Sequence, residues 1–302
     1  MSKIKSTIYN IAREKVKNYL TNNLGKVVEE EDKLVCYVEF NKIKKDHRDY
    51  HAMCYGVGEK DEKLVKLYKL NKPIYYIFDN IDLFTRQIRI GGYNHANIII
   101  KNCNFNLGGS IDTDGECVID NSSIRGFHYF SIHANDLTIK NDANIENTFD
   151  HGYILLKAIN NLQITDTTLG AKEKNTRFML DSDHRLDIKN SKVFGELIEC
   201  NAPVVTADDE TTLNATGRVI VDTEYFNHIR VLAPIVQLVD KEYQTDNKEV
   251  TLKQFNDPLS IKRLELINVL SNIRDKCIEI NSRKLASYEQ ELSSESIKQI
   301  VR

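Results

Sequence analysis

A chain of 302 residues with 41% apolar and 28% charged side chains has enough material for a large buried core, and too much to be a disordered tail. Its formal net charge of −3 comes from 41 basic and 44 acidic residues mixed along the sequence, which argues against a nucleic-acid or anionic-membrane binder with a clustered basic face. The first twenty residues hold no apolar run of signal-peptide length, no later stretch approaches a membrane span, and the six cysteines form no close pair, so a reduced cytoplasmic protein without a structural metal or cofactor is expected.

In chain order, Ile8, Ile11, Ala12, Val16, Tyr19 and Leu20 fall on one helical face and predict an amphipathic N-terminal helix. Strand-like runs follow at 34–40, 63–70 and 74–78, read as irregular first coils of what comes next or as a small entry subdomain. His47 and His51 stand four apart with Cys54 close behind, but no second ligand pair accompanies them, and an exposed polar loop is expected.

From about residue 75 to 240 a short pattern recurs: apolar, any, apolar, any, Asn or Asp, then an apolar residue three positions on. It appears as Ile98-Ile100-Asn102-Phe105, Cys117-Ile119-Asn121-Ile124, Leu162-Ile164-Asp166-Leu169 and Leu186-Ile188-Asn190-Val193. Leu137-Ile139-Asn141 fits with its closing residue, Ile145, one position late, and Leu213-Ala215 continues the series with Gly217 in the Asn position. The anchors 98, 117, 137, 162, 186 and 213 are separated by 19, 20, 25, 24 and 27 residues. A second apolar piece lies between anchors, as in Tyr129-Phe130-Ile132, Tyr153-Ile154-Leu156 and Phe178-Met179-Leu180. Such short strands leave no room for crossover helices, but they suit coils of a parallel β-helix in which each strand pairs with its equivalent about 4.8 Å away. Asn and Asp tolerate a left-handed turn and can bond along a ladder.

After this region Asp257-Pro258 reads as a helix N-cap and first residue. Ile261, Leu264, Ile267, Leu270, Ile273 and Cys277 then form a stripe, expected either to cap the last coil or to make the chain a homo-oligomer. The expected fold is therefore all-β, a single-stranded right-handed parallel β-helix with helical segments at both ends. The expected divisions are 1–74 (helix and first coils), 75–240 (β-helix) and 241–302 (helical tail).

The repeat resembles that of the pectin-lyase-like β-helix superfamily. Within it, polygalacturonase-like hydrolases carry Asn-Thr-Asp, an adjacent Asp pair, Gly-His-Gly and Arg-x-Lys on successive coils. Asp112-Thr113-Asp114-Gly115, Asp150-His151-Gly152 and Arg185 with Lys189 come in the same order here. The adjacent Asp pair is missing, Asp112 replaces the Asn, and three residues separate Arg185 from Lys189. The resemblance implies a carbohydrate-active enzyme, hydrolase or lyase, acting through Asp112, Asp114, His151 and Arg185. An inverting pair needs two carboxyl groups about 6.5–9.5 Å apart across one cleft.

Aligning coils by their anchors gives a different candidate. Asp181 and Asp208 both stand five residues before an anchor, Asp183 and Glu210 three before, with Asp209 between the last two. These five acids are expected to gather on neighbouring coils and to meet a basic surface on a protein partner. The leading expectation is a non-enzymatic interaction or assembly protein, one version being a viral or mobile-element inhibitor of a host complex; membrane and nucleic acid are not expected as partners.

Overall fold

The computed structural model describes residues 3–39, 53–54, 73–92, 96–239, 241–245 and 247–256. They form a parallel β-solenoid of about seven turns. Each turn runs through three walls. Strand pairing stacks the first wall from Leu34–Val38 through Ile74–Asp79, Ala96–Lys101 and Glu116–Asp120 to residues 136–140, 161–165, 185–189 and 204–207. The second wall stacks residues 104–107, 123–126, 144–147, 168–169, 192–195 and 212–215. The third stacks 109–112, 129–134, 153–158, 177–182, 197–201 and 218–222. The apolar residue that closes each sequence repeat thus has a wall of its own.

Period-two alternation decides what lies inside. Ile100, Ile119, Ile139, Ile164 and Ile188 stack down the first wall, all essentially inaccessible to solvent. Phe105, Ile124, Ile145, Leu169, Val193 and Leu213 do so down the second, and Phe130, Ile154, Phe178, Ile198 and Val219 down the third. One continuous core runs from Val16 to Val236.

The corner between the first and second walls holds the expected ladder. Asn80, Asn102, Asn121, Asn141, Asp166 and Asn190 all have positive φ. The Asn121 amide donates to Asn102 Oδ1 at 2.8 Å, and that of Asn190 to Asp166 Oδ1 at 2.7 Å. Asn141 donates instead to Asp120 Oδ1, because its corner uses two left-handed residues, Asn141 and Asp142. That extra residue is why Ile145 comes one position late.

The sixth coil corrects the sequence reading. Leu213 does not anchor the first wall; it pairs with Val193 on the second. The first-wall strand of that coil is Val204–Ala207, in which Val205 pairs with Leu186. An apolar-x-apolar pair satisfies any wall of a β-helix, so alternation alone could not distinguish Val205-x-Ala207 from Leu213-x-Ala215.

At the start, helix α1 (Lys3–Asn23) buries Val16 and Leu20 in the shared core, followed by Leu24, whereas Ile11 of the expected apolar face is exposed. Gly25–Glu29 then pairs antiparallel with Leu34–Val38. At the far end Lys241–Gln244 pairs antiparallel with a third-wall strand, and Glu249–Asn256 pairs antiparallel with Tyr225–Leu232, which spans the first and second walls, so parallel stacking ends there. His47, His51 and the stripe from Ile261 to Cys277 lie outside the described residues. Among the described residues no helix is long and apolar enough to cross a membrane.

Candidate interaction surface

The enzyme-like residues are distributed over different walls. Asp112 lies on the third wall, paired in register with His133, whose Nδ1 is 2.9 Å from Asp112 Oδ1; the Ser110 hydroxyl also donates to Asp112. Asp114 follows it at the next corner, where its backbone carbonyl accepts from the Asn135 side chain. His151 is on the opposite corner, between the second and third walls, 3.1 Å from Glu196. Arg185 opens a first-wall strand and donates to Asp187 at 2.7 Å. Three of the four therefore face different directions, and no cleft gathers them.

The five acids separate for a related reason. Asp181 sits on the third wall, in register between Lys157 and Asn201, and accepts from Lys157 Nζ at 2.8 Å. Asp183 is 3.8 Å from the same ammonium. Asp208, Asp209 and Glu210 form the turn between the first and second walls. The expected cluster rested on Leu213 as the anchor, and moving the anchor to Val205 takes the two acidic segments to different corners.

Glu210 instead lines a cleft of about 650 Å³ on the second wall, floored by Lys192, Phe194, Thr212, Asn214 and Arg230. Arg230 is held by Glu249 at 2.8 Å, and the Lys172 ammonium lies 5.5 Å from the centre of the Phe194 ring. Among the described residues no three His, Cys, Asp or Glu side chains are grouped so as to hold a metal ion.

The third wall is where outward side chains make the most distinctive surface. Its register defines three columns. One edge carries Tyr129, Tyr153, Arg177, Leu197, Arg218 and Ile235. The centre carries Ser131, Leu155, Met179, Glu199 and Ile220. The other edge carries Asp112, His133, Lys157, Asp181, Asn201 and Asp222. The Tyr129 and Tyr153 rings stack with centroids 5.4 Å apart and planes 10° from parallel, and Tyr129 is 51% exposed. The Tyr153 hydroxyl donates to Met179 Sδ at 3.2 Å, and desolvation, helped by the charge of Glu199, pushes its pKa up. Tyr129 and Tyr153 on one edge and Leu155 and Met179 in the centre therefore form an aromatic and apolar surface bordered by the polar column of the other edge. By contrast the outer edge of the first wall alternates in sign, with Asp79–Lys101 at 2.9 Å and Asp120–Lys140 at 3.7 Å.

The corner beside Tyr129 and Tyr153 extends this surface. His128 and Phe149 stack with ring centroids 3.8 Å apart, and Phe149 is 41% exposed. Asn147, fully buried, pins the loop: its amide donates to the His128 carbonyl at 2.9 Å and its Oδ1 accepts from the Phe149 N–H at 3.0 Å. Glu196 lies within 3.1 Å of His151 and 3.4 Å of Arg177, and the His151 hydrogen bond and the Arg177 charge hold its carboxyl below the usual range despite some desolvation.

Compared with known proteins, the chain matches no family model, no curated protein and no solved structure. Its own geometry must carry the functional reading. Sequence reasoning singled out Asp181 and Asp183 as part of one cluster with Asp208, Asp209 and Glu210, and did not single out Tyr129, Tyr153, Leu155, Met179 or Ile220 as surface residues. The usable signal was the alternation within 153–157 and 218–222, where every second residue points away from the core.

Proposed function

We propose that this protein is an interaction scaffold whose third wall docks a protein partner. The observation that carries the reading is the stripe of Tyr129, Tyr153, Leu155, Met179 and Ile220, displayed outward on a sheet whose inner face is fully packed. Large apolar patches bordered by polar residues mark binding sites on soluble proteins, and Tyr, Met and Arg are enriched in the energetic centres of interfaces. A wall tied by main-chain hydrogen bonds on both sides loses little conformational freedom on binding, which favours affinity. Asp181 and Asp183, at the rim with Lys157, supply charged contacts that set orientation and association rate. Asp208, Asp209 and Glu210 belong to another corner and have no part in this surface.

Site-specific photo-crosslinking tests the proposal. A photoreactive residue at Leu155 or Ile220, in the full chain within its own cell, is expected to capture a protein. The same residue at Gln163, on the first wall, is expected to capture none. Equal labelling from both walls, or none from the third, overturns the reading.

A further inference from the structure

The third wall carries a second regularity. In each of its strands the two edge residues stand four apart: Tyr129 and His133, Tyr153 and Lys157, Arg177 and Asp181, Leu197 and Asn201, Arg218 and Asp222. Four residues of extended chain span about 13 Å. Arg177 and Asp181 therefore sit on opposite edges of the wall, as do Arg218 and Asp222, beyond reach of each other within one strand.

Packing against a second copy changes that. Consider a copy face to face with the first, related by a twofold axis that lies in the interface and runs parallel to the solenoid. This operation keeps each coil opposite its own equivalent and exchanges the two edges. Arg177 then faces Asp181 of the second copy, and Arg218 faces Asp222, each contact occurring twice by symmetry. Lys157 faces Tyr153, a cation over an aromatic ring, and His133 faces Tyr129. The centre meets itself: Leu155 on Leu155, Met179 on Met179, Ile220 on Ile220. Sheets packed face to face stand about 10 Å apart, a gap that an Arg and an Asp can bridge.

The alternative, a copy turned end for end, sets each edge against itself. Both arginines would then face a column of Tyr, Leu, Ile and Arg that holds no carboxylate, in any register. On the other edge only Lys157 would meet a carboxylate of the second copy, so the end-for-end arrangement forms fewer ion pairs than the parallel one and leaves both arginines without one across the interface. Existing intrachain neighbours do not oppose it: Arg177 lies 3.4 Å from Glu196, Arg218 is 3.1 Å from Glu242, and Asp181 is 2.8 Å from Lys157, all at partly exposed positions where such pairs are weak. One contact is unfavourable, because Glu199 in the central column meets its own copy.

We propose that the partner of the third wall is a second copy of this chain, docked coil to coil in that parallel arrangement. The proposal rests on the reading of this wall as a docking surface. Light scattering of the full chain over a concentration series tests it. Wild type is expected to be dimeric, and Arg177→Glu or Asp181→Arg alone to weaken association by about tenfold or more. The Arg177→Glu/Asp181→Arg double variant is expected to return to within about threefold of wild type, because the swapped charges meet again across the twofold axis. Glu199→Gln is expected to tighten the dimer. All three substitutions are at outward positions, and far-ultraviolet circular dichroism of the four variants confirms folding. Leu155→Cys gives an independent readout, forming an intermolecular disulfide on mild oxidation while Gln163→Cys does not. A full chain that stays monomeric, a dimer indifferent to the single swaps, or a double variant no better than the singles overturns the proposal. If a residue at Leu155 still captures a different protein in those cases, the docking reading stands and only the second copy is excluded.

Discussion

The backbone N–H of Asn190 donates to both carboxylate oxygens of Asp208, at 3.0 and 2.9 Å, tying together the turns of two successive coils. The Thr211 hydroxyl donates to the same carboxylate at 2.7 Å. Asp208 is therefore a turn cap, although in sequence it looks like one of a run of solvated acids.

Desolvation alone would raise the pKa of Asp208, but the hydrogen bonds from Thr211 and the Asn190 amide outweigh it and hold the carboxyl below the usual range. A depressed folded-state pKa contributes stability that is complete above the unfolded value of about 3.9 and is lost as pH falls through the folded value. Asp208→Ala is expected to cost about 1–2 kcal/mol at neutral pH. The difference from wild type should shrink in acid. Denaturant unfolding at neutral pH and well below the carboxylate range measures both, and a constant gap between the two proteins would count against the capping role.

Asn121 combines a left-handed backbone, φ 44°, with a side-chain bond to Asn102 at 2.8 Å. Asn121→Ala loses the bond and pays for the conformation, a combined cost of about 1–3 kcal/mol. Asn121→Gly keeps the backbone freedom and is expected to lose less. Equilibrium unfolding of the two variants should rank them in that order.

Gly152 packs against the Asn147 side chain so closely that an added Cβ would lie 2.1 Å from its Cγ. Asn147 is buried and holds the corner at His128 and Phe149, so it has no room to retreat. Gly152→Ala is expected to destabilise by about 1–3 kcal/mol and to shift the Phe149 and His128 rings. Thermal unfolding and aromatic proton chemical shifts report the two effects separately.

Cys117 and Cys200 face the core, and burial pushes each thiol up to about 12. The thiolate is the reactive form, so both are expected to resist alkylation at neutral pH until the chain unfolds. Mass mapping after iodoacetamide treatment, with and without guanidinium, checks this. Labelling of Cys200 in the folded protein would mean that the fifth coil opens.

Much of this architecture is legible one residue at a time. Ile98-x-Ile100, Cys117-x-Ile119, Leu137-x-Ile139, Leu162-x-Ile164 and Leu186-x-Ile188 identify the first wall because successive side chains of a strand must point to opposite faces. The Asn or Asp that follows identifies the corner because few other residues accept a left-handed backbone. Both are local constraints, acting within about five residues, and the chain carries them in plain view.

Which residues of different coils become neighbours is not a local property. Val205-x-Ala207 and Leu213-x-Ala215 have the same alternation, and only inter-strand hydrogen bonding assigns one to the first wall and the other to the second. That single assignment separates Asp181 from Asp208. The columns of the third wall depend on it in the same way, since Tyr129 meets Tyr153 and Arg177 lies between Tyr153 and Leu197 only after intervening corners of unequal length have been closed. Side-chain sterics and turn chemistry settle from sequence which way each residue points. Long-range register, set by how each corner closes, is decided only in the assembled solenoid, and the surface it builds is decided there as well.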